Sequence, residues 1–586
     1  MTRFGRTSKI AAALLGGALV LSACGGGDDD GNDDANNDAN GGSGGTVTYA
    51  MAQPWQAYNM TTAGANTVAN GQVLEQVLSG FWTFGNEDGQ PIPNEDFGTY
   101  EMVSEDPLTV DYTINEAAVW SDGTPIDCDD ILLWWTAQSG AFDGLFSAVG
   151  TQGVEDTAMP ECEPGGKSFT LLYDQPFADW LTDGPGHGNV AIQPAHIVSE
   201  QGGFGSEEEF IAALQGDDPA ALEAAAEFYN NGWVIEGSLP DPALIPSSGP
   251  YVITGYEANQ SVTLTRNENW WGEQPAADSI VFRTIAEEEQ VQALQNGDVD
   301  IIEPQPTVDI AQQIQAASGF ENQVAEEYTY EHLDFNFNAG PFAESVELRR
   351  AFALCVPYED LVVNLIQPVV PDAEVKRVRN VAPWDPGYQE AVDASQASID
   401  EYGTTDIDAS RAILEAEDAV GTTVRLGTLE NQRRLDAGAL IEASCEQAGF
   451  EVEFEPATDF FDTTGALSEN RFDVAMFAWA GSPERSGWNS TYRTVTECSP
   501  EGKGNNNGCY SNPEMDELLD QVLRTSDEAE AIELTAQIEA LLWEDMVTIP
   551  LYQHPGITAW NGAVQNVIPN PSQNGITWNA DEWARS

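Results

Sequence analysis

Positive charge is scarce in this chain of 586 residues: 21 Lys and Arg stand against 97 Asp and Glu, for a formal net charge of −76. Nucleic-acid binding needs a basic footprint and is excluded. The carboxylates are spread along the whole chain, which reads as a solvated, self-repelling surface suited to a salty medium, ahead of an acidic cleft that draws in cations. Histidine is scarcer still, at four. His187, His196, His332 and His554 are scattered, and none forms a pair at the helical spacing that holds a metal. No metal and no cofactor are expected. No phosphate loop or dinucleotide fingerprint stands in its strand-to-helix context. Carboxylates are too abundant for any pair to single out a glycosidase. A hydrolase is therefore the weaker class, to be revived only by turnover of a ligand. Long apolar runs are missing too: Ile10–Leu21 offers about 12 residues where ~20 are needed to span a bilayer.

That short run is informative. Arg3, Arg6 and Lys9 precede it and Leu21-Ser22-Ala23-Cys24 follows, the pattern of a secretory signal: basic start, apolar middle, small residues before the cut. Leu-Ser-Ala-Cys also resembles the bacterial lipoprotein box, which implies cleavage before Cys24 and a diacylglyceryl group on its sulfur. Two acyl chains anchor stably where one does not. Gly25–Gly45 is Gly, Asn, Asp and Ser and cannot bury a core. As a flexible tether its reach is roughly 25 Å. Six further cysteines remain. An even number outside the cytoplasm points to disulfides. Many pairings are open to the sequence; nearest neighbours are favoured, Cys128–Cys162, Cys355–Cys445 and Cys498–Cys509. The alternative for Cys355 and Cys445 is a pair of buried thiols in helices.

The body of the chain is organised around Ser248–Pro304. Ser-Gly-Pro opens with a turn. Tyr251–Gly255, Ser261–Thr265 and Asp278–Ile285 read as strands. Glu287–Gln295 has helical spacing with Gly297 as its stop, and Val299–Ile302 reads as a buried strand. The motifs here are Gly-Pro-Tyr at 249–251, Arg266-Asn267-Glu268-Asn269-Trp270-Trp271 and a helix ending Gly297-Asp298-Val299-Asp300. This block resembles the core signature of the family 5 extracellular solute-binding proteins, the oligopeptide- and dipeptide-type receptors of bacterial ABC importers. Trp270 stands at the family's tyrosine position. Trp120-Ser121-Asp122-Gly123-Thr124-Pro125, followed by a helix that Asp127 can cap with Asp130 against its positive end, is a second match. Leu348-Arg349-Arg350-Ala351 is a third, with Pro357-Tyr358 replacing the Asp-Arg pair that follows in the family.

The resemblance covers nearly all of Thr46–Ala559. It implies an α/β fold of the two-lobed periplasmic-binding-protein type in three domains, with a hinge and an interlobe cleft. On that pattern residues 1–23 are the signal peptide and 24–45 the tether. Residues 46–80, 246–305 and 547–586 form the main domain of lobe 1, 81–245 a domain inserted in it, and 306–546 lobe 2. The chain is expected to cross between lobes near Pro304 and near Met546. Strands are expected at Leu333–Asn338, Phe472–Trp479 and Val547–Tyr552. Val424–Leu426, Gln432–Ala448 and Glu451–Phe454 read as a βαβ unit whose strands lie parallel.

A receptor needs aromatic walls, a few fixed polar groups and lobes that move. By resemblance Asn336 and Asn338 meet the ligand backbone, and the strand ending at Trp479 forms the other wall. The family often has an aspartate soon after that tryptophan, to pair with a peptide's amino terminus. Here the residues are Ala480-Gly481-Ser482-Pro483-Glu484-Arg485. Glu484 can take the aspartate's place, or Arg485 can hold a carboxylate instead. Trp488, Trp55 and Tyr58 are further candidates, with core packing as their alternative. The implied protein is a lipid-anchored monomer on the outer face of the membrane. It delivers a small solute, foremost an oligopeptide, to an ABC permease and its ATPase subunits. A peptide or pheromone receptor that signals without import is the alternative.

Overall fold

The computed structural model describes residues 44–586 apart from 87, 143, 463, 482–483, 496, 500–502 and 573–574. The signal peptide, Cys24 and nearly all of the tether lie outside the described residues, as do Ser482 and Pro483. No helix among the described residues is long and apolar enough to cross a membrane.

Ten strands form one mixed sheet. From one edge they run Glu451–Ala457, Thr423–Leu429, Val474–Trp479, Phe320–Phe335, Thr548–Asn561, Ile301–Ile302, Thr46–Met51, Ser279–Thr284, Ser261–Arg266 and Tyr251–Glu257. Thr46–Met51 is parallel to Ser279–Thr284 and to Ile301–Ile302. Its Val47 and Tyr49 and the neighbouring Ile280, Phe282 and Ile301 are all buried, the apolar filling that a parallel pair covered on both faces requires. At the other end Thr423–Leu429 is parallel to both Glu451–Ala457 and Val474–Trp479. The helix Gln432–Ala448 makes the βαβ crossover, started by the Asn431 side chain and stopped by Gly449 at φ 117°.

The two ends of the sheet are joined by Phe320–Phe335 and Thr548–Asn561, of 16 and 14 residues. They pair antiparallel from Phe320 opposite Asn561 to Asp334 opposite Thr548, with register shifts between Glu326 and Tyr330 and between Glu331 and His332. The first strand carries Glu-Glu-Tyr-Thr-Tyr-Glu-His where a sequence reading looks for apolar alternation. The second holds Pro550 and Pro555, which cannot donate to a ladder and sit at or next to the shifts. Hence the expected strand Val547–Tyr552 falls almost wholly within a much longer one, while Leu333–Asn338 overlaps only the end of another, which stops at Phe335.

The signature stretch supports the fold rather than a site. Arg266 bonds Asp278 at 2.8 Å and the carbonyls of Pro275, Ala276 and Ala277. The Asn267 amide donates to Gly249 O, pinning the turn. Residues 81–245 hold a separate three-stranded sheet, Gly98–Glu105, Leu108–Ile114 and Ser168–Leu172. The helix Cys128–Gln138 also lies there and starts in a capping box between Asp127 and Asp130. Cys128 is bonded to Cys162, Cys355 to Cys445 and Cys498 to Cys509.

Candidate functional site

Where the register of the long strands shifts, their side chains help to enclose a cavity of about 130 Å³. Tyr328, Tyr330 and Gln553 come from the long strands. Trp479 comes from the end of the strand paired with them, opposite Tyr330. Lys376, Arg379 and Asn380 come from an irregular segment, and Glu484, Trp488 and Tyr492 from the loop and helix that follow Trp479.

Each wall is held by identifiable contacts. The Trp479 ring lies parallel to His332, with centroids 5.7 Å apart, and edge-on to Phe477 at 5.2 Å. The Tyr328 hydroxyl donates to Asp385 and accepts from Gln90, both at 2.7 Å. Arg379 and Glu539 form a fully buried pair at 3.2 Å. The second Glu539 oxygen accepts the backbone N–H of both Arg379 and Asn380 at 2.8 Å, and Arg379 also donates to Thr548. Every charged atom of this pair is thus met by hydrogen bonds, the condition under which a buried ion pair is tolerated. It fixes the segment that carries Lys376 and Asn380.

The seam beside the cavity is acidic. Asp179, from the 81–245 segment, accepts the N–H groups of Arg485 and Ser486 at 2.7 and 2.6 Å. It thereby caps the helix Ser486–Tyr492, which has no side-chain cap of its own. Burial, with Glu484 and Asp179 close by, pushes the Asp183 carboxyl well above the usual range. Arg524 pairs with Asp156 at 2.7 Å along the same seam.

Of the residues expected at a site, Trp479, Glu484 and Trp488 line this cavity. The others do not. Asn336 is fully buried; its amide donates to Phe472 O and Asn470 O, and its oxygen accepts from the N–H of Asn338 and Ala339. It shapes the turn after the strand, and Asn338 points to solvent. Arg485 pairs with Glu528 at 2.9 Å, away from the cavity. Trp55 packs edge-on to Tyr256, and the Tyr58 hydroxyl donates to Pro246 O, both deep in the core. Tyr328, Tyr330, Lys376, Asn380 and Gln553 escaped the sequence reading. One signal for them existed: three of the chain's 21 basic residues fall within Lys376–Arg379, in a chain otherwise dominated by acid.

The profile of the bacterial extracellular solute-binding proteins, family 5 Middle, matches residues 93–497. An uncharacterized lipoprotein of Mycobacterium tuberculosis is 28% identical over 100% of this chain and 98% of its own length. The oligopeptide-binding protein OppA of the same species is 23% identical over 89% of this chain and 82% of its own. Among solved structures, the periplasmic EDTA-binding protein EppA matches with a TM-score of 0.79 at 24% identity, over 93% of this chain and 97% of that one. The oligopeptide-binding protein AppA from Bacillus subtilis, in complex with a nonapeptide, matches at 0.72 and 16% over 93% and 99%. At these identities the likeness is one of fold, the mixed α/β periplasmic-binding-protein type. The chain belongs to the family 5 bacterial extracellular solute-binding proteins. It is a binding component of ABC transport and not an enzyme.

Proposed function

We propose that this chain is a lipid-anchored receptor on the outer face of the cell membrane that closes around a small solute at the Trp479 cavity. It hands the solute unchanged to an ABC permease with its ATPase subunits. The observation that carries the reading is convergence: aromatic walls, fixed polar groups and the register shifts of the two connecting strands meet at one cavity. In this reading the lobes turn about Glu326–Tyr330 and Tyr552–Pro555, rather than near Pro304 and Met546. The partition into 46–80, 246–305 and 547–586, with 81–245 inserted and 306–546 as the second lobe, moves by that much. Hydrogen bonds from Arg485 and Ser486 to Asp179 then act as a latch between the lobes.

Oligopeptide is the leading solute class, because extended backbone pairs with strand edges at low sequence specificity. A cavity of about 130 Å³ favours its shortest members. Anchoring rests on Cys24, and the relatives named as lipoproteins support it. Mass spectrometry of what the full chain retains on purification tests the function. The expected result is one small solute, displaced by Trp479→Ala. Turnover of that solute, or its retention by the variant, contradicts the proposal. Cys24→Ser is expected to move the protein from the membrane fraction to the medium.

A further inference from the structure

We infer that the Trp479 cavity recognises an anionic oxygen group on its solute, a carboxylate, seated against Lys376, Asn380 and Trp479. This deepens the reading of the cavity as the solute site and rests on it.

The observation is a surplus of donors. Lys376 is 5% exposed and has no carboxylate within ion-pair distance among the described residues. Its ammonium donates to Val381 O at 3.1 Å and stands 4.9 Å from the centre of the Tyr330 ring. Three acids act on it from beyond ion-pair distance, Glu539, Glu326 and Asp385. Glu539 is held by Arg379 and two backbone N–H groups. Asp385 accepts from Tyr328 and from the N–H of Ala382. Glu326 and Lys376 act on each other without closing to an ion pair. Arg379 adds a second positive charge nearby, and the carboxylate among the described lining residues is Glu484. A buried ammonium with one hydrogen bond and a ring face is under-served, because an ion removed from water needs a counter-charge. Burial accordingly pulls the Lys376 ammonium down to about 8.

Three neutral donors share its predicament. The Asn380 side-chain nitrogen, the Trp479 indole nitrogen and the Tyr492 hydroxyl are buried without a hydrogen-bond partner among the described residues. One acceptor is in the same position, the Gln553 side-chain oxygen, whose amide is oriented by donation to the carbonyls of Glu327 and Tyr328. Buried polar groups left this way carry a desolvation cost that a partner removes. The complement of this wall is a group with two oxygens and a negative charge, next to a single donor that meets Gln553. A carboxylate beside an N–H or O–H has that form.

Isothermal titration of the full chain tests the inference, with four probes: Ala-Ala-Ala as the free acid, the same peptide as its C-terminal amide, citrate, and inorganic phosphate. The free acid or citrate is expected to bind at least tenfold more tightly than the amide. Lys376→Met should remove that preference while Lys376→Arg keeps part of it, and Asn380→Ala should weaken the acid several-fold. Preference for phosphate over both carboxylates would assign the anion site to a phosphoryl group and overturn the carboxylate. Equal binding of acid and amide, indifference of the acid to Lys376→Met, or no binding of any anionic probe overturns the inference as well. The reading of the cavity as the solute site fails separately: it falls if Trp479→Ala leaves untouched whatever solute the full chain retains.

Discussion

Two cavities lie along the same pair of long strands, and their linings differ in sign. The first, at Tyr328, Tyr330 and Gln553, carries Lys376 and Arg379 against one carboxylate among the described residues. The second, of about 400 Å³, lies at Gln323–Glu327, Gly556 and Thr558. It carries Asp88, Glu303, Glu326, Glu327 and Asp372, with Trp384, and no basic side chain among the described residues. In a chain of net charge −76 the second lining is what composition alone delivers. The first had to be assembled from the few cations available. Their treatment differs as well. Burial pushes Glu303 up to about 7 and Glu327 up to about 8, so the acid-lined cavity relieves its charge by taking up protons. In the first cavity Arg379 is answered by Glu539, and Lys376 has no such ion pair among the described residues. The difference teaches that net charge says little about the solute, because the local supply of unanswered donors runs against it.

The contrast can be broken in stages. The largest effect is expected from Arg379→Met, which strands Glu539 in the core and costs about 3–5 kcal/mol in chemical denaturation. The double change with Glu539→Leu should recover most of it. Next is Glu327→Gln. The folded value of about 8 lies above the ordinary 4.5, so the folded chain holds this proton more tightly. Its contribution is fully present below pH 4.5 and is lost as pH rises through 8. The variant should therefore be more stable than the parent at pH 8, by up to about 4 kcal/mol, and should lose the difference toward pH 4.5. Lys376→Met sharpens the comparison from the other side. The ammonium has a folded value of about 8 against an ordinary 10.5, so it is a penalty present below pH 8 and relieved as pH climbs toward 10.5. At pH 7 its removal should raise stability by about 1–2 kcal/mol while anion binding is lost. The smallest change in stability, within about 1 kcal/mol, is expected from Glu484→Gln on the cavity wall. Titration should still find solute binding weakened.

What the sequence disclosed follows physical range. The strands of Ser248–Pro304, the βαβ unit around Gln432–Ala448 and the three disulfides rest on local pattern or chain order, and the structure has them. Trp479 and Glu484 were reached through the family resemblance at the strand ending in Trp479, with Trp488 as a weaker candidate, and all three line the cavity. Lys376 and Asn380 were not legible, because they reach the cavity from a segment with no periodicity, placed by the distant Glu539 and Thr548. Asn336 misled for a local reason: a polar residue at a strand end serves a turn as readily as a ligand, and here it serves the turn.

A crystal structure of the full chain together with the solute it retains on purification tests the central claim most directly. The account predicts that solute against Trp479, with an anionic oxygen group within hydrogen-bonding distance of Lys376 and Asn380 and the Asp179 contacts to Arg485 and Ser486 in place. A solute lodged instead among Glu303, Glu327 and Asp372, with Lys376 still facing only Val381 and Tyr330, would contradict it.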